Sequence, residues 1–278
     1  MSEALPLTIL WQDEDMVAVH KPAGWLVHRI GLDAHESRFV MQTLRDQLGR
    51  HVYPVHRLDK GTSGVLVMAL HADAARALCA LFETHRLHKR YLAMVRGWPP
   101  LSRHVDHALR PDDAPPEAPA QPAQTDFRCL ATLQLDVPVD RYPSTRVALV
   151  EAVPRTGRRH QIRRHLKHLA HPIIGDATHG KGAHNRWWAQ HLGVQRLWLH
   201  AWSLSLVQPL SGRALELVSA LPSGMADASN GQPGELNADW GALLRQHDWR
   251  FHAHCKVDEL GGVSAPSANN SAASTGSK

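Results

Sequence analysis

A turn that holds one carboxylate among two cations, two hydroxyls and a histidine lies at residues 56–64. It reads HRLDKGTSG, and the apolar residues 65–70 follow it directly. The apolar run predicts a buried strand, which would hold the turn rigidly in place. Functional groups are often mounted on such turns. A surface turn with an ion pair around Asp59 explains the same residues equally well.

The most basic part of the chain is the segment 155–168, and no acidic residue occurs from Ala152 to Gly175. Its apolar positions predict a helix from about residue 159 to residue 170. Three basic side chains would then share one face at four-residue intervals: Arg159, Arg163 and Lys167. Like charges at this spacing repel one another, so we expect an anion to neutralise them. An RNA phosphate backbone is such an anion, and a solvated basic face is the alternative.

Three further features bear on ligand binding. Tyr91 follows Lys89 and Arg90 in a predicted strand, where it is either a core residue or a stacking platform for an unpaired base. The segment 179–186 is predicted to be a basic, glycine-containing loop, which suits phosphate contacts as well as a plain connection. Four histidines between residues 160 and 171 have spacings that a metal site could use. The cations beside them oppose a divalent ion, so no metal site is predicted.

The composition is compatible with a polyanionic partner. The chain has 278 residues, with 31 Lys and Arg against 26 Asp and Glu, for a formal net charge of +5. Its 3 cysteines are widely spaced and suggest neither a disulfide framework nor a zinc site. The N-terminus lacks a signal-peptide pattern, and no apolar run approaches membrane-spanning length. We therefore expect a soluble, cytoplasmic protein that acts as a monomer without an obligate protein partner.

The elements that would position these residues are strands interspersed with helices. Strands are predicted in a hairpin over residues 8–19 and near 65–70, 89–95, 126–135, 146–152 and 197–207. Helices are predicted near 39–48, 73–86 with Asp73 as the N-cap, 159–170 and 240–251. The loop 111–124 contains five prolines and no large apolar residue. Candidate functional residues lie on both sides of it, so we expect two lobes of one fold.

Five segments, in this order, resemble pseudouridine synthases of the ribosomal large-subunit synthase A type. They are residues 20–24 (HKPAG), 56–64 (HRLDKGTSG), 89–91 (KRY), 156–163 (TGRRHQIR) and 171–176 (HPIIGD). The resemblance covers about residues 9–221. Within the family it points to the members that modify uridine 65 of tRNA. That narrower resemblance rests on segments 141–146, 163–169, 185–186 and 195–197.

The resemblance implies an α+β fold. Its mixed, mainly antiparallel sheet would form two lobes with flanking helices and a central RNA-binding cleft. Residues 1–221 would be the catalytic domain, which includes the proline-rich loop 111–124. Residues 222–278 would be a C-terminal extension that is partly disordered, most clearly at 261–278, where Ser, Ala, Asn and Gly predominate.

The resemblance also implies roles for individual residues. Asp59 matches the catalytic aspartate, Arg163 the arginine that pairs with it, and Tyr91 the tyrosine that stacks on the flipped base. Arg57 matches the arginine that enters the space left by the flipped uridine. Further RNA contacts are expected from the basic residues Arg158, Arg159, Arg164, Lys167 and Lys181.

The implied activity is the isomerisation of a uridine in tRNA to pseudouridine, with no metal, nucleotide or redox cofactor. The base must leave its helix before the N1–C1′ bond can be broken and C5 joined to C1′. Asp59, kept ionised by a nearby arginine, would attack C1′ or act as a base at C2′. The alternatives are an rRNA pseudouridine synthase, a non-catalytic RNA-binding protein and a histidine-dependent metalloenzyme.

Overall fold

A computed structural model describes residues 6–29, 36–112, 114–115, 117–221 and 237–253, which form eleven strands and five helices. The strands are β1 (Ile9–Gln12), β2 (Met16–Lys21), β3 (Tyr53–Pro54), β4 (Ser63–Ala69), β5 (Leu87–Arg96), β6 (Ser102–Asp106), β7 (Gln124–Leu135), β8 (Thr145–Pro154), β9 (Leu199–Val207), β10 (Ala214–Val218) and β11 (Arg250–Phe251). The helices are α1 (Val40–Leu48), α2 (Ala72–Glu83), α3 (Gln161–His168), α4 (Gly182–Leu192) and α5 (Ala238–Arg245).

One sheet joins all the strands of the described residues. Its main path has the order β1-β2-β4-β9-β5-β8-β7-β11, and β10, β3 and β6 pair with β9, β4 and β7 respectively. The pair β4–β9 is parallel, and the other strand pairs are antiparallel. This confirms the prediction of a mixed, mainly antiparallel sheet. Strand β9 comes late in the chain and lies between β4 and β5, so it joins elements that are far apart in sequence.

Buried apolar side chains pack on both faces of β2 and β4. Val17 and Val19 of β2 face the cluster that contains α1, whereas Met16 and Ala18 face the cluster that contains α2. This alternation follows from the two-residue period of a strand. Because both faces are covered, the two strands read as continuous apolar runs in the sequence. A third, larger core lies on β5, β7, β8 and β9. We call the part of the sheet that carries the two cores on β2 and β4 the first lobe, and the part that carries the larger core the second lobe.

The predicted helices 39–48 and 73–86 are present as α1 and α2. The N-cap predicted for α2 was wrong. His71 caps this helix, because its ring accepts a hydrogen bond from the Ala74 N–H at 3.3 Å. Asp73 lies within the first turn and pairs with Arg76. Its carboxylate therefore forms an exposed ion pair and does not cap the helix.

The prediction of a loop over residues 179–186 is wrong from Gly182 onwards, where α4 begins. Trp188 of α4 is fully buried in the larger core, and this burial stabilises the helix. The glycines at 180 and 182 suggested a turn. Gly182 instead occupies the first helical position, where glycine is less disruptive than in the middle of a helix.

Residues 237–253 pack against the larger core as α5 and β11. Trp240 is fully buried, with its ring 5.0 Å from that of Trp198 at an angle of 86°. The helix predicted near 240–251 is therefore present, although it begins and ends earlier. The predicted disorder at 261–278 lies outside the described residues. Among the helices that the structure describes, none combines the length and the apolar character needed to cross a bilayer.

Candidate active site

A cavity of about 550 Å³ lies at the junction of the two lobes. The turn before β4 contributes Arg57 and Asp59, β5 contributes Tyr91, the segment leading into α3 contributes Arg158, and α3 itself contributes Arg163. The remaining lining residues are Val55, His56, Leu58, Thr62, Cys79, Phe82, Glu83, His85, Lys89, Pro154, Thr156, Gly157, His160, Gln161, Ile162 and Leu199. The fold thus brings together five of the residues singled out in the sequence. Arg159, Arg164, Lys167 and Lys181 do not line this cavity.

The sheet register fixes the spacing between the Asp59 turn and Tyr91. Ala201 of β9 pairs with Gly64 of β4 on one side and with Tyr91 of β5 on the other. Gly64 has φ +113°, and a Cβ at this position would lie 2.1 Å from the Ala201 carbonyl oxygen. Only glycine allows this approach of β4 to β9. One strand therefore separates the turn that carries Asp59 from the strand that carries Tyr91.

Arg163 is held between two carboxylates. Its Nη1 donates to Asp59 Oδ2 at 2.9 Å, while its Nε and Nη2 donate to the two oxygens of Asp176 at 2.7 and 2.8 Å. The side chains of Arg163 and Asp176 are 9% and 0% exposed. Bidentate pairing of this kind fixes the orientation of a guanidinium group as well as its charge.

Both members of the buried pair stay charged. Burial raises the pKa of Asp176, but the hydrogen bond from Arg163 and the backbone N–H groups of His179 and Thr178 outweigh it, so the pKa lies below its ordinary value. Burial lowers the pKa of Arg163, but its hydrogen bonds to Asp176 and Asp59 outweigh this effect and raise the pKa. Sequence reasoning gave Asp176 no role, although this residue ends the HPIIGD segment that carried the family resemblance.

The predicted row of basic side chains on one face of α3 is wrong. Arg159 precedes the helix, because α3 begins at Gln161 after His160, which has φ +54°. Arg163 is buried, whereas Lys167 is exposed. The anion expected to neutralise this segment is, for Arg163, a pair of carboxylates, one from the turn before β4 and one from the segment after α3.

Two ionisable residues that line the same cavity as Asp59 are held in their neutral forms. Burial raises the pKa of the Tyr91 phenol, and the charge of Asp59 raises it further, so Tyr91 remains protonated. His56 Nε2 accepts the Val67 N–H at 2.9 Å, and its ring stacks on Phe82 at 4.3 Å. Burial lowers the pKa of His56 to about 3. His56 therefore supports β4 and carries no charge.

A buried lysine ties β2 to the turn that carries Asp59. The Nζ of Lys21 donates to the carbonyl oxygens of Thr62, Pro22 and Lys60 at 2.7, 2.9 and 3.1 Å. The residue is 0% exposed, and burial lowers its pKa to about 7 although the charge of Asp59 opposes this shift. Sequence reasoning missed this contact, because the HKPAG segment gives no indication of which carbonyl groups its lysine would meet.

The proline-rich loop contacts the basic residues that lie outside the cavity or at its edge. Arg158 Nε donates to the Pro122 carbonyl oxygen at 3.1 Å, and Arg164 Nη1 donates to the Arg110 carbonyl oxygen at 2.6 Å. The carboxylate of Asp112 lies near both Arg159 and Arg164. Lys167 and Lys181 are exposed, and Lys181 immediately precedes α4.

Among the described residues, one group places three possible metal ligands together. Ligand atoms of Asp112, His160 and His179 all lie within 4.8 Å of one another. The same carboxylate faces Arg159 and Arg164 at 3.9 and 3.3 Å. These cations oppose a divalent ion at this point. The charges around the group thus favour an anion.

Comparisons with known proteins identify the family of the chain. The family model for RNA pseudouridylate synthases matches residues 15–168. The tRNA pseudouridine synthase C of Yersinia pestis is 49% identical over 255 residues, which cover 87% of this chain and 91% of that protein. The tRNA pseudouridine synthase C of Vibrio cholerae is 47% identical over 251 residues, which cover 88% of this chain and 97% of the relative.

A solved structure shares the fold. Human RNA Pseudouridylate Synthase Domain Containing 4 superposes with a TM-score of 0.61 at 27% identity, over 86% of this chain and 92% of that one. The family match covers more than half of the chain, and the bacterial relatives align over nearly their full length. The chain therefore belongs to the RNA pseudouridylate synthase family.

Proposed function

We propose that this protein isomerises a uridine of tRNA to pseudouridine, with uridine 65 as the target. The observation that carries the proposal is the 2.9 Å contact between Arg163 and Asp59 in a cavity that Tyr91 also lines. Relatives named tRNA pseudouridine synthase C, at 47–49% identity, support tRNA as the substrate. The choice of position 65 rests on the segments 141–146, 163–169, 185–186 and 195–197.

The cavity suits a flipped pyrimidine. Its volume of about 550 Å³ lies within the range of pockets that bury small ligands. The target base must leave the RNA helix, since no side chain reaches C1′ within a stacked duplex. Tyr91 would stack on the extruded base, a contact worth about 1–3 kcal/mol. Arg57 is exposed at the cavity wall, and we assign it to the space that the base leaves.

The chemistry centres on Asp59. The N1–C1′ bond breaks with its electron pair on the uracil, while the Asp59 carboxylate either bonds to C1′ or removes the proton at C2′. The base then turns and its C5 bonds to C1′, while the Asp59–C1′ bond breaks on the first route or Asp59 returns the proton to C2′ on the second. The proton on C5 is lost, and N1 takes up a proton. Arg163 would orient the Asp59 carboxylate through the hydrogen bond from its Nη1, and Asp176 would hold Arg163 in place. These steps use no metal or redox cofactor, and we expect the enzyme to work as a cytoplasmic monomer.

The test of this proposal is the release of tritium from tRNA labelled at C5 of uridine. The Asp59→Asn variant is expected to lose turnover to background while it binds tRNA within a few-fold of the wild type. Asp46→Asn, which changes an exposed carboxylate on α1, is the matched control and should retain activity. Substantial turnover by Asp59→Asn would overturn the role of this residue.

The target position requires a separate substrate. A tRNA transcript in which cytidine replaces uridine 65 should release no tritium, whereas the unaltered transcript should release one equivalent. Release from both transcripts would move the target elsewhere in tRNA. Binding of tRNA without release from either one, by the wild-type protein, would favour a non-catalytic RNA-binding protein.

A further inference from the structure

The proline-rich loop covers part of the basic surface that we assign to RNA. Its Pro122 carbonyl oxygen accepts a hydrogen bond from Arg158, and the carbonyl oxygen of Arg110, the residue just before the loop, accepts one from Arg164. Asp112, between these two points, is acidic and faces the same surface. A loop that joins β6 to β7 could run elsewhere without these contacts. Its position therefore places an acidic residue where an RNA backbone is expected.

The Asp112 carboxylate sits among three potential donors. Its Oδ1 lies 3.3 Å from Arg164 Nη1, and its Oδ2 lies 3.0 Å from His160 Nδ1 and 3.9 Å from Arg159 Nε. Arg164 and His160 are 20% and 16% exposed, whereas Arg159 is 50% exposed. A site formed by these three residues is open to solvent on one side. The ion pair between Asp112 and Arg164 is partly exposed to solvent, so we expect it to be weak enough to exchange.

His160 connects this site to the reaction centre. Its Nδ1 faces Asp112, and its Nε2 lies 3.8 Å from Asp59 Oδ2 on the other side of the ring. An anion that replaced the Asp112 carboxylate would therefore lie one imidazole ring away from the catalytic aspartate. In a bound RNA, the anions at such a distance from the reacting sugar are its neighbouring phosphates.

We propose that Arg159, His160 and Arg164 form a binding site for an RNA phosphodiester next to the flipped uridine. Asp112 occupies this site in the RNA-free protein and is displaced when RNA binds. The proposal rests on the proposed function, since it takes the cavity at Asp59 as the site of the target nucleotide. A carboxylate and a phosphodiester each accept charge-assisted hydrogen bonds from arginine. The phosphate prevails because the rest of the RNA adds contacts that a single loop carboxylate lacks.

The test compares tRNA binding by Asp112→Asn and by the wild-type full chain at several salt concentrations. Removal of an internal competitor is expected to lower the Kd for an unmodified tRNA transcript by about two- to tenfold, the range of one or two exposed ion pairs. Asp136→Asn is the matched control, because Asp136 is exposed in the β7–β8 loop and accepts a hydrogen bond from Gln134. It removes the same charge away from the proposed site.

A second pair of variants tests the location of the site. Arg164→Ala is introduced into the wild type and into Asp112→Asn, and the Kd for tRNA is measured for both. If Asp112 competes for Arg164, its removal should improve binding much less when Arg164 is absent. An equal improvement in both backgrounds would overturn the proposal.

Two other outcomes would also overturn it. Asp112→Asn could bind tRNA no more tightly than the wild type, or its gain could match that of Asp136→Asn, which would reveal a general effect of charge. These results are independent of the proposed function, which is read from tritium release by the wild type. Turnover by the wild type together with an unchanged Kd for Asp112→Asn would leave the isomerase assignment intact.

Discussion

Arg163 and Arg164 are neighbours in α3, yet they occupy opposite kinds of ion pair. Arg163 is 9% exposed and donates two hydrogen bonds of 2.7 and 2.8 Å to Asp176, which is 0% exposed. Arg164 is 20% exposed and lies 3.3 Å from Asp112, which is 30% exposed. Asp176 follows α3 in the chain, and Asp112 lies in the proline-rich loop. Each pair joins an arginine to an aspartate, so the two pairs differ mainly in how exposed they are to solvent.

Burial decides what each pair can contribute. A charge left without its partner inside a protein is costly, so the buried pair must keep both members and therefore keeps one geometry. An exposed pair gains little from its contact and exchanges its partner readily. On the proposed function, Arg163 is a fixed part of the reaction centre, whereas Arg164 is the residue that we propose to exchange its partner for a ligand.

The largest effect on stability is expected from Asp176→Asn, which breaks the buried pair and keeps the side-chain volume nearly unchanged. Removal of one member of such a pair typically costs about 3–5 kcal/mol of stability. Arg163 would no longer be held against Asp59, so we expect the single-turnover rate to fall by about a hundredfold, an effect of misplaced geometry. Affinity for tRNA should change by less than a few-fold, because Asp176 has no exposed surface.

Single-turnover tritium release and a binding assay at the same temperature, well below the unfolding midpoint, separate these effects. The matched control is Asp112→Asn, which removes a carboxylate from the neighbouring arginine and should leave the free energy of unfolding within about 1 kcal/mol of the wild type. Equal losses of stability in the two variants would remove the distinction between the buried and the exposed pair.

Acidification is expected to have an intermediate effect on stability, through three histidines that burial keeps neutral. Burial lowers the pKa of His56 and His200 to about 3 and that of His20 to about 4. The unfolded chain binds a proton at each near pH 6.5. The stability that depends on their neutral forms is therefore complete above pH 6.5 and is lost as the pH falls towards their folded pKa values. At pH 5 the loss is about 1–2 kcal/mol for each histidine.

Denaturant unfolding at pH 7.5 and pH 5 measures this loss. The amide oxygen of His56→Gln can still accept the Val67 N–H without binding a proton, so this variant should lose less stability between the two pH values than the wild type. His88→Gln changes an exposed histidine on β5 and should behave like the wild type. A wild-type loss equal to that of His56→Gln would contradict the neutral state of His56.

The smallest effect on stability is expected from Arg164→Ala. The free energy of unfolding should change by less than about 1 kcal/mol, because the pair with Asp112 is partly open to solvent. Binding of tRNA should weaken, and the slope of log K against log salt should become shallower by about 0.7–0.9 for each phosphate that the variant no longer binds. Filter binding over a salt series gives this slope. An unchanged slope would place the phosphate-binding residues elsewhere.

Local elements of the fold were predictable because they follow from short-range patterns. The apolar run 65–70 predicted β4, and the hairpin over residues 8–19 is present as β1 and β2. The position of β9 between β4 and β5 was not predictable from such patterns, since non-local pairing depends on the whole chain. The helix α4 was missed because two glycines near its start suggested a loop, whereas the burial of Trp188 decides the structure.

The candidate site follows the same division. Asp59, Tyr91 and Arg163 were identified from their residue types and from the family resemblance, and the fold brings them to one cavity. The further residues that contact this site, Asp176, Lys21 and Asp112, were not identified, because each is brought there by a tertiary contact. Asp176 lies 13 residues beyond Arg163. Lys21 donates to backbone carbonyl groups, which every residue has, so the sequence does not indicate which ones it would contact. Asp112 lies in a loop whose composition suggested no function.

The place of β9 in the sheet has a consequence for synthesis on the ribosome. Asp59, Tyr91 and Arg163 are all synthesised before Ala201. Asp59 lies in the turn before β4 and Tyr91 lies in β5, and these two strands are joined only through β9, which pairs with both. A nascent chain that ends before Leu199 contains every residue assigned to the reaction and lacks the strand that sets their spacing. The spacing between Asp59 and Tyr91 is therefore set only after Leu199–Val207 has been synthesised.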